Sequence, residues 1–268
     1  MTTPISMPGP DSADIWLIPA DQPPEIVADL AALLDEGERR RAAAMVKPDD
    51  RGQFTVAHGV VRDILGRYLG VPPAELAWAR GAHGKPELSG RWTGVRANLS
   101  TCGQLAMLAV TRSRDVGVDL EAVRPEAVAL RMSDRYFPAA EARFVAHGDA
   151  GSADEEQSGP AERFARLWCR KEACVKVHGA RLAEGLGLPV RAAGPLVVRD
   201  PAGTLPGACL VRDVSAPAGY RAAVALGGER PFTIRWRVWH AGQTRAGADP
   251  GPARAAAPAS VPASVSGP

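Results

Sequence analysis

The segment at residues 116–121, VGVDLE, alternates apolar and acidic side chains with a period of two. This alternation predicts a β-strand in which Val118 and Leu120 share one face. Asp119 and Glu121 then point together to the opposite side, because side chains two residues apart on a strand lie on the same face. The fold therefore has to bury one side of this strand while the other side carries paired carboxylates.

A helix is predicted at residues 162–179, ERFARLWCRKEACVKVHG, where good helix formers are followed by Gly179 as a stop. Glu172 and Lys176 are four residues apart and share a helix face with Trp168. If this face packs against the strand, three carboxylates converge. Oxygen-only ligands of this kind are what Mg²⁺ prefers, particularly when substrate phosphates complete the coordination.

Each of these patterns also has an interpretation without function. A D-x-E pair at a strand end is commonly a solvated edge, and a Glu–Lys pair at i, i+4 is commonly a surface ion pair that contributes about 0.3–0.5 kcal/mol. Their combination in a fixed order with two further motifs favours a functional site.

The remaining sequence predicts short strands and helices in two parts of similar size. The segments CGQLAMLAV and AGYRAAVAL each place a turn glycine, Gly103 or Gly219, before a small apolar strand, which suggests a duplicated fold. The final residues are rich in Ala, Pro, Gly and Ser and have too few apolar side chains to order themselves. We predict a flexible N-terminus at 1–13, an N-terminal half at 14–118, a C-terminal half at 119–240 and a disordered tail at 241–268.

Composition narrows the possible partners. The formal net charge of +2 is too small for a general polyanion binder, so no nucleic acid partner is expected. The four cysteines lack C-x-x-C spacing and are expected to be reduced thiols. No basic, apolar leader and no run of 18 apolar residues is present, so we expect a cytoplasmic protein without a membrane partner.

Four motifs in order carry a family resemblance: HGKPEL at 83–88, ANLS at 97–100, VGVDLE at 116–121 and LWCRKEACVKVHG at 167–179. They resemble the successive motifs of the 4′-phosphopantetheinyl transferases, specifically the larger surfactin-synthetase-activator (Sfp) type, over roughly residues 14–240. The resemblance implies an α+β monomer, a pseudodimer of two similar α/β halves. Each half is a small antiparallel sheet packed with helices, and the active site lies in the cleft between the halves.

The resemblance also implies roles for individual residues. Asp119, Glu121 and Glu172 match the acids that hold Mg²⁺, and Glu172 and Lys176 match the catalytic pair. Arg80 matches a basic position near the nucleotide 3′-phosphate. The implied coenzyme A ligands are Lys47, Arg80, Lys85, Pro86, Ser100, Thr101 and Lys176.

The implied reaction is attack by a serine hydroxyl of an apo acyl, peptidyl or aryl carrier protein on the β-phosphorus of coenzyme A, the co-substrate. Glu172, or a metal-bound water beside it, is the candidate general base. The products are 3′,5′-ADP and the holo carrier protein. The implied acceptors belong to fatty acid, polyketide, non-ribosomal peptide or siderophore synthesis.

One departure from the family pattern leads to an alternative. The histidine that usually follows N-L-S is Thr101 here, and a hydroxyl cannot carry the positive charge of an imidazolium. A degenerate, non-catalytic binder of coenzyme A or of carrier proteins is therefore the second hypothesis, and turnover distinguishes the two. Lys47, Arg51 and Arg62 form either a solvated helix face or a 3′-phosphate site, and the sequence leaves both open.

Overall fold

The computed structural model of the chain describes residues 4–81, 84–149, 158–241 and 243–246. The helices in these ranges are α1 (Pro24–Leu33), α2 (Glu36–Ala43), α3 (Pro48–Leu69), α4 (Glu126–Tyr136), α5 (Ala139–His147), α6 (Pro160–Val177) and α7 (Leu182–Gly185). The strands are β1 (Ser12–Pro19), β2 (Trp78–Arg80), β3 (Pro86–Leu88), β4 (Val95–Cys102), β5 (Leu105–Arg112), β6 (Val116–Ala122), β7 (Leu196–Arg199), β8 (Ala208–Val214), β9 (Tyr220–Gly227), β10 (Thr233–His240) and β11 (Gln243–Ala246). None of the helices in the described ranges is long and apolar enough to span a membrane.

The strands form two main sheets and a small ribbon. The first sheet has the order β11-β10-β1-β5-β4, and the second has the order β6-β9-β8-β7. Strands β2 and β3 pair with each other as an antiparallel ribbon. Each sheet is covered by helices on one face and by the other sheet on the opposite face.

The alternation of side chains along each strand produces this layered arrangement. On β5, Leu108 and Val110 pack with the core of α1 and α3, whereas Met107 and Ala109 join the core between the sheets. On β6, Val118 also lies in the core between the sheets, as its alternation predicts. The opposite face of β6, which carries the acidic residues, is therefore turned toward a helix.

The predicted α+β class with two similar halves, each a small sheet covered by helices, is confirmed. The first sheet differs from the expectation because it is mixed: β10 pairs with β1 in parallel. Residues 233–240 therefore belong to the first sheet, although we predicted them in the C-terminal half at 119–240. The predicted boundary between residues 118 and 119 falls inside β6.

Both predicted termini need correction where the structure describes them. Ile5, within the predicted flexible segment 1–13, is buried, and its N–H donates to Arg67 O at 3.3 Å. Gln243–Ala246, within the predicted tail at 241–268, forms β11 against β10. Backbone pairing at a sheet edge does not require apolar side chains, which is why composition failed to indicate this strand. The rest of that tail, residues 247–268, lies outside the described residues.

A buried carboxylate joins β10 to the first sheet. Asp14 on β1 is fully buried and accepts hydrogen bonds from Arg235 Nε at 2.5 Å and Arg237 Nε at 2.9 Å. Tyr68 on α3 also donates to Asp14 and accepts from Trp16 Nε1 at 3.0 Å. Burial and the Asp14 charge together raise the pKa of Tyr68. One carboxylate thus connects β1, β10 and α3.

Substitution of Asp14 by Asn should destabilise the fold by about 3 kcal/mol, because it leaves two arginines and a buried tyrosine without their shared anion. Chemical denaturation followed by circular dichroism measures the difference. The control is Asp149→Asn, since Asp149 and its partner Arg191 are each 47% exposed and their pair is solvated; its cost should be below about 1 kcal/mol. Equal stability of the two variants would contradict this role of Asp14.

Candidate active site

Strands β4 and β6 lie side by side where the two sheets meet, and side chains bridge them. The outward N–H groups of β6 donate to alternate side chains of β4, each twenty residues earlier in the chain. This ladder sets the register between the halves. The pairs are Val118 N to Asn98 Oδ1 (2.9 Å), Leu120 N to Ser100 Oγ (3.3 Å) and Ala122 N to Cys102 Sγ (3.2 Å).

The ladder places Ser100 against Asp119, which is only 3% exposed. Asp119 Oδ1 accepts from Ser100 Oγ at 2.8 Å and from Lys176 Nζ at 2.6 Å. Asp119 Oδ2 is buried and makes no hydrogen bond within the described part of the chain. A buried carboxylate oxygen without a donor is costly, so this atom is a candidate ligand for a further group.

Gly117 allows α6 to approach this strand. Gly117 lies on the same face of β6 as Asp119, and a Cβ added there would come within 2.0 Å of Ala173 O and 2.9 Å of Lys176 Cβ. Only glycine permits so close a contact. The contact brings the Lys176 ammonium within reach of three oxygens: Asp119 Oδ1, Ser100 Oγ at 3.3 Å and Val118 O at 3.2 Å.

Two further carboxylates, Glu121 and Glu172, lie close enough to Asp119 for its charge to affect their pKa values. Burial raises the pKa of Glu172, with Lys176 opposing and the Asp119 and Glu121 charges adding to the rise. Burial also raises the pKa of Glu121, Asp119 raises it further, and Arg124, 3.1 Å away, opposes. The three acids predicted from sequence are thus electrostatically coupled in one region.

The fit of these acids to a metal ion depends on the donor chemistry. Among the described residues, no group of three or more His, Cys, Asp or Glu side chains is arranged to hold an ion. The Lys176 ammonium already supplies a counter-charge to Asp119. The donor atoms of the three acids are nevertheless all oxygens, as Mg²⁺ prefers. Asp119 Oδ2, which has no hydrogen bond among the described residues, would be a ligand of the ion.

A cavity of about 720 Å³ lies in the first half, between β4 and the helices α2 and α3, and the three acids are not among the described residues that line it. It is lined by Arg80 on β2, Pro86 on β3 and Thr101 on β4, which are three of the predicted coenzyme A ligands. Arg41 and His58 add two further basic side chains to its wall. Thr101 and Ser100 are consecutive on β4 and point to opposite faces, so the cavity lies on the other side of this strand from the Asp119 contact.

Arg62, which the sequence left open as a phosphate ligand, is a buried structural residue whose partners Glu38 and Asp35 line the cavity. It is 1% exposed and donates to Glu38 Oε2 at 2.5 Å, to Asp35 and to Pro73 O at 3.0 Å. His58 Nδ1 lies 3.5 Å from Glu38 Oε1. Burial alone raises the pKa of Glu38, but bonds from His58, the Asp35 N–H and Arg62 outweigh it and lower the pKa to about 2.

The other predicted basic residues lie elsewhere. Lys85 Nζ donates to Val116 O at 3.1 Å, Lys176 O at 2.6 Å and Val177 O at 3.2 Å, so it caps the C-terminal end of α6. Burial lowers the pKa of Lys85. Lys47 is exposed at the N-terminus of α3, where Arg51 bonds Met45 O. Neither lysine is among the described residues that line the cavity.

Comparison with known proteins places these residues in a family. A family model described as the 4′-phosphopantetheinyl transferase superfamily matches residues 115–225. The 4′-phosphopantetheinyl transferase HetI of Nostoc sp. is 36% identical over 176 residues, which cover 65% of this chain and 71% of that protein. The chain belongs to the 4′-phosphopantetheinyl transferase superfamily. It is therefore an enzyme of the transferase class.

Two more proteins that are similar to this transferase carry the same enzyme name. A putative 4′-phosphopantetheinyl transferase of Synechocystis sp. is 29% identical over 177 residues, covering 64% of this chain and 67% of that protein. The 4′-phosphopantetheinyl transferase psf-1 of Bacillus pumilus is 29% identical over 175 residues, covering 62% and 66%. The family match includes β6 and α6 of the transferase and so contains all three acids and Lys176.

Sequence patterns did not indicate three parts of this candidate site and its surroundings. Asn98 begins the ladder, Gly117 allows the helix contact, and Glu38 lines the cavity while it is bonded to the buried Arg62. A usable signal existed for Gly117, because it shares the strand face of Asp119 at a period of two. The Glu38–Arg62 pair joins α2 to α3 and left no pattern in the sequence.

Substitution of Gly117 by Ala should destabilise the transferase by about 1–3 kcal/mol and reduce its activity, because α6 has to move away from β6. Thermal unfolding and a transfer assay measure both effects. Gly52 on α3 is the matched control, since a Cβ there meets nothing within 4 Å. Gly52→Ala should leave stability unchanged or raise it by up to about 1 kcal/mol, as Ala is the better helix former. Similar behaviour of both variants would contradict the packing role of Gly117.

The Glu38 pKa predicts loss of stability in acid. Because the folded-state pKa is lower than the unfolded value, the unfolded chain binds the additional proton as the pH falls. This group's contribution is complete above about pH 5, and about 2 kcal/mol of it should be lost between pH 5 and pH 3. Urea unfolding at several pH values measures the slope. The Glu38→Gln variant should show a shallower slope over this range, and an unchanged slope would refute the assignment.

Proposed function

We propose that the chain is a transferase of the larger surfactin-synthetase-activator (Sfp) type. It transfers the 4′-phosphopantetheine arm of coenzyme A to a serine hydroxyl of an apo acyl, peptidyl or aryl carrier protein and releases 3′,5′-ADP. The observation that carries the proposal is the contact of Asp119 with Ser100 and Lys176. It joins an acid, a hydroxyl and an ammonium from both halves, and the same strand β4 presents Thr101 to a ligand-sized cavity on its other face.

Coenzyme A is assigned to the cavity beside β4. Its volume of about 720 Å³ lies within the range of small-molecule sites. Arg80 and Pro86 are register partners on the β2–β3 ribbon, so one short ribbon presents both to the ligand. Thr101 offers a hydroxyl, and His58 brings to the same cavity an imidazole that position 101 lacks. Lys47 and Lys85 stay predictions as coenzyme A ligands.

Asp119, Glu121 and Glu172 are the residues that would hold Mg²⁺. When bound, the ion neutralises the pyrophosphate and stabilises charge on the leaving oxygen. The support for this assignment is the all-oxygen donor set and the unpartnered Asp119 Oδ2. Lys176, held by Ser100 and Val118 O, adds a fixed positive charge for the phosphates.

Glu172 is the proposed general base. Burial and the neighbouring carboxylates raise its pKa, which brings a carboxylate closer to the range where it accepts protons efficiently. The proton moves from the carrier serine hydroxyl to Glu172 while the serine oxygen bonds to the β-phosphorus. The bond from that phosphorus to the leaving oxygen breaks, and the electron pair leaves with 3′,5′-ADP.

The acceptors and the setting are part of the proposal. We assign the enzyme to the activation of carrier proteins in fatty acid, polyketide, non-ribosomal peptide or siderophore synthesis. It is proposed to act as a monomer in the cytoplasm, without nucleic acid or membrane partners. The cytoplasmic assignment is supported by the four cysteines, all of which are free thiols.

Mass spectrometry of an apo carrier protein incubated with coenzyme A, Mg²⁺ and the enzyme tests the transfer. We expect a mass gain of one phosphopantetheine arm, and we expect none after addition of EDTA. Coenzyme A binding without transfer to any of several carrier classes would contradict the proposed reaction. A mass gain that survives EDTA would contradict the metal assignment alone.

Two variants test the residue roles in the same assay. Asp119→Ala removes the central carboxylate and Glu172→Gln removes the base, so each should retain less than about one tenth of wild-type transfer. The matched control is Glu229→Gln, since Glu229 is exposed on a turn away from the acids, and its activity should equal that of wild type. Transfer above one tenth of wild type in either site variant would refute that residue's role.

A further inference from the structure

Two buried cations directly precede Glu172 on α6. The sequence R-K-E at 170–172 resembles a solvated run of charges, but Arg170 is 1% exposed and Lys171 is fully buried. Successive residues on a helix are about 100° apart, so the two cations point away from the side that Glu172 occupies. Burying a charge is expensive unless every donor finds a partner.

The Lys171 ammonium finds three partners. It forms an ion pair with Glu141 on α5 at 2.7 Å, and it donates to Leu186 O at 2.8 Å and to Leu188 O at 2.6 Å. Glu141 Oε1 in turn accepts from Val190 N at 3.3 Å. The ammonium therefore links α6 to α5 and to the chain that follows α7.

The Arg170 guanidinium is bonded as fully. Nε and Nη2 form a bidentate pair with Asp213 on β8, both at 2.6 Å. Nη1 donates to Val190 O and to Ala192 O, both at 2.7 Å. Its partners thus lie in the second sheet and in the same segment that Lys171 contacts.

The segment at residues 186–192, called the anchor segment here, belongs to no strand. Its carbonyls at every second residue, from Leu186 to Ala192, accept from these two cations instead of from a neighbouring strand. Leu188 and Val190 are buried in the core of the second half. The anchor segment is therefore fixed by side chains as well as by packing, and α6 is fixed to it.

We propose that Arg170 and Lys171 are positioning residues that lock the rotation and height of α6 so that Glu172 and Lys176 face Asp119. This inference rests on the proposed function of those groups. On its other side α6 presses directly against Gly117 of β6, so a small rotation would separate Lys176 from Asp119. Buried ion pairs contribute little net stability compared with apolar replacements, but they require one arrangement of their partners. Here the pairs of Lys171 with Glu141 and of Arg170 with Asp213 set the orientation of α6.

The test is the double variant Glu141→Leu/Lys171→Met. It replaces the buried pair by apolar side chains of similar size, which commonly preserves folding. The expected result is a folded protein by near-ultraviolet circular dichroism, a KM for coenzyme A within about threefold of wild type, and a kcat lower by about 10- to 100-fold. A folded variant with wild-type kcat would overturn the proposal.

A matched control and a milder variant complete the design. Arg199→Gln/Glu229→Gln removes an exposed ion pair in the same half and should leave kcat unchanged. Asp213→Asn weakens the ion pair with Arg170. Because Asp213 is 41% exposed, this variant should still fold, and it tests the proposal if the double variant does not fold. We expect Asp213→Asn to lower kcat by about threefold with KM unchanged, and a wild-type kcat there would overturn the proposal.

Amide hydrogen exchange provides a readout that does not depend on transfer. In the anchor variants, amides of α6 should exchange faster, whereas those of β1 should be unchanged. Unchanged exchange in α6 would overturn the proposal. If the wild-type enzyme transfers no phosphopantetheine, the proposed function fails, and exchange alone then decides whether the anchor holds α6.

Discussion

The close contact of α6 with β6 at Gly117 is the constraint on which the rest of the site depends. With a Cβ only 2.0 Å from Ala173 O, any other residue would hold the helix away from the strand. Lys176 would then lose the carboxylate, hydroxyl and carbonyl oxygens it now contacts. Because Gly117 has no side chain, Lys176 of the second half can contact Asp119 and Ser100, which belongs to the first half.

The two halves are held in register by polar side chains at their shared edge. Asn98, Ser100 and Cys102 accept the N–H groups of β6 that a neighbouring strand would otherwise bind. Ser100 has a second role in the same geometry, because its hydroxyl also donates to Asp119. Structural pairing and the proposed chemistry therefore share one residue, and a change at Ser100 affects both.

Buried charge separates the structural residues from the candidate functional ones. Arg62, Arg170 and Lys171 are buried and are bonded to carboxylates and carbonyls. Asp119 is equally buried, yet one of its oxygens makes no hydrogen bond among the described residues. A buried acid that meets a hydroxyl and an ammonium from other elements, and keeps one oxygen without a hydrogen bond, is a candidate for a functional group.

The sequence by itself determined the α+β class, the strand at VGVDLE, the helix that carries Glu172 and Lys176, and the family, because these depend on local periodicity and on ordered motifs. Only the tertiary structure decided that Lys85 caps a helix, that Arg62 and Lys171 are buried, and that β10 joins the first sheet. The physical reason is that a cation has the same local pattern whether it faces solvent, a phosphate or a carbonyl. Its partner is chosen by segments far away along the chain, as with Lys85 and Val177 (92 residues apart) and with Arg235 and Asp14 (221 residues apart).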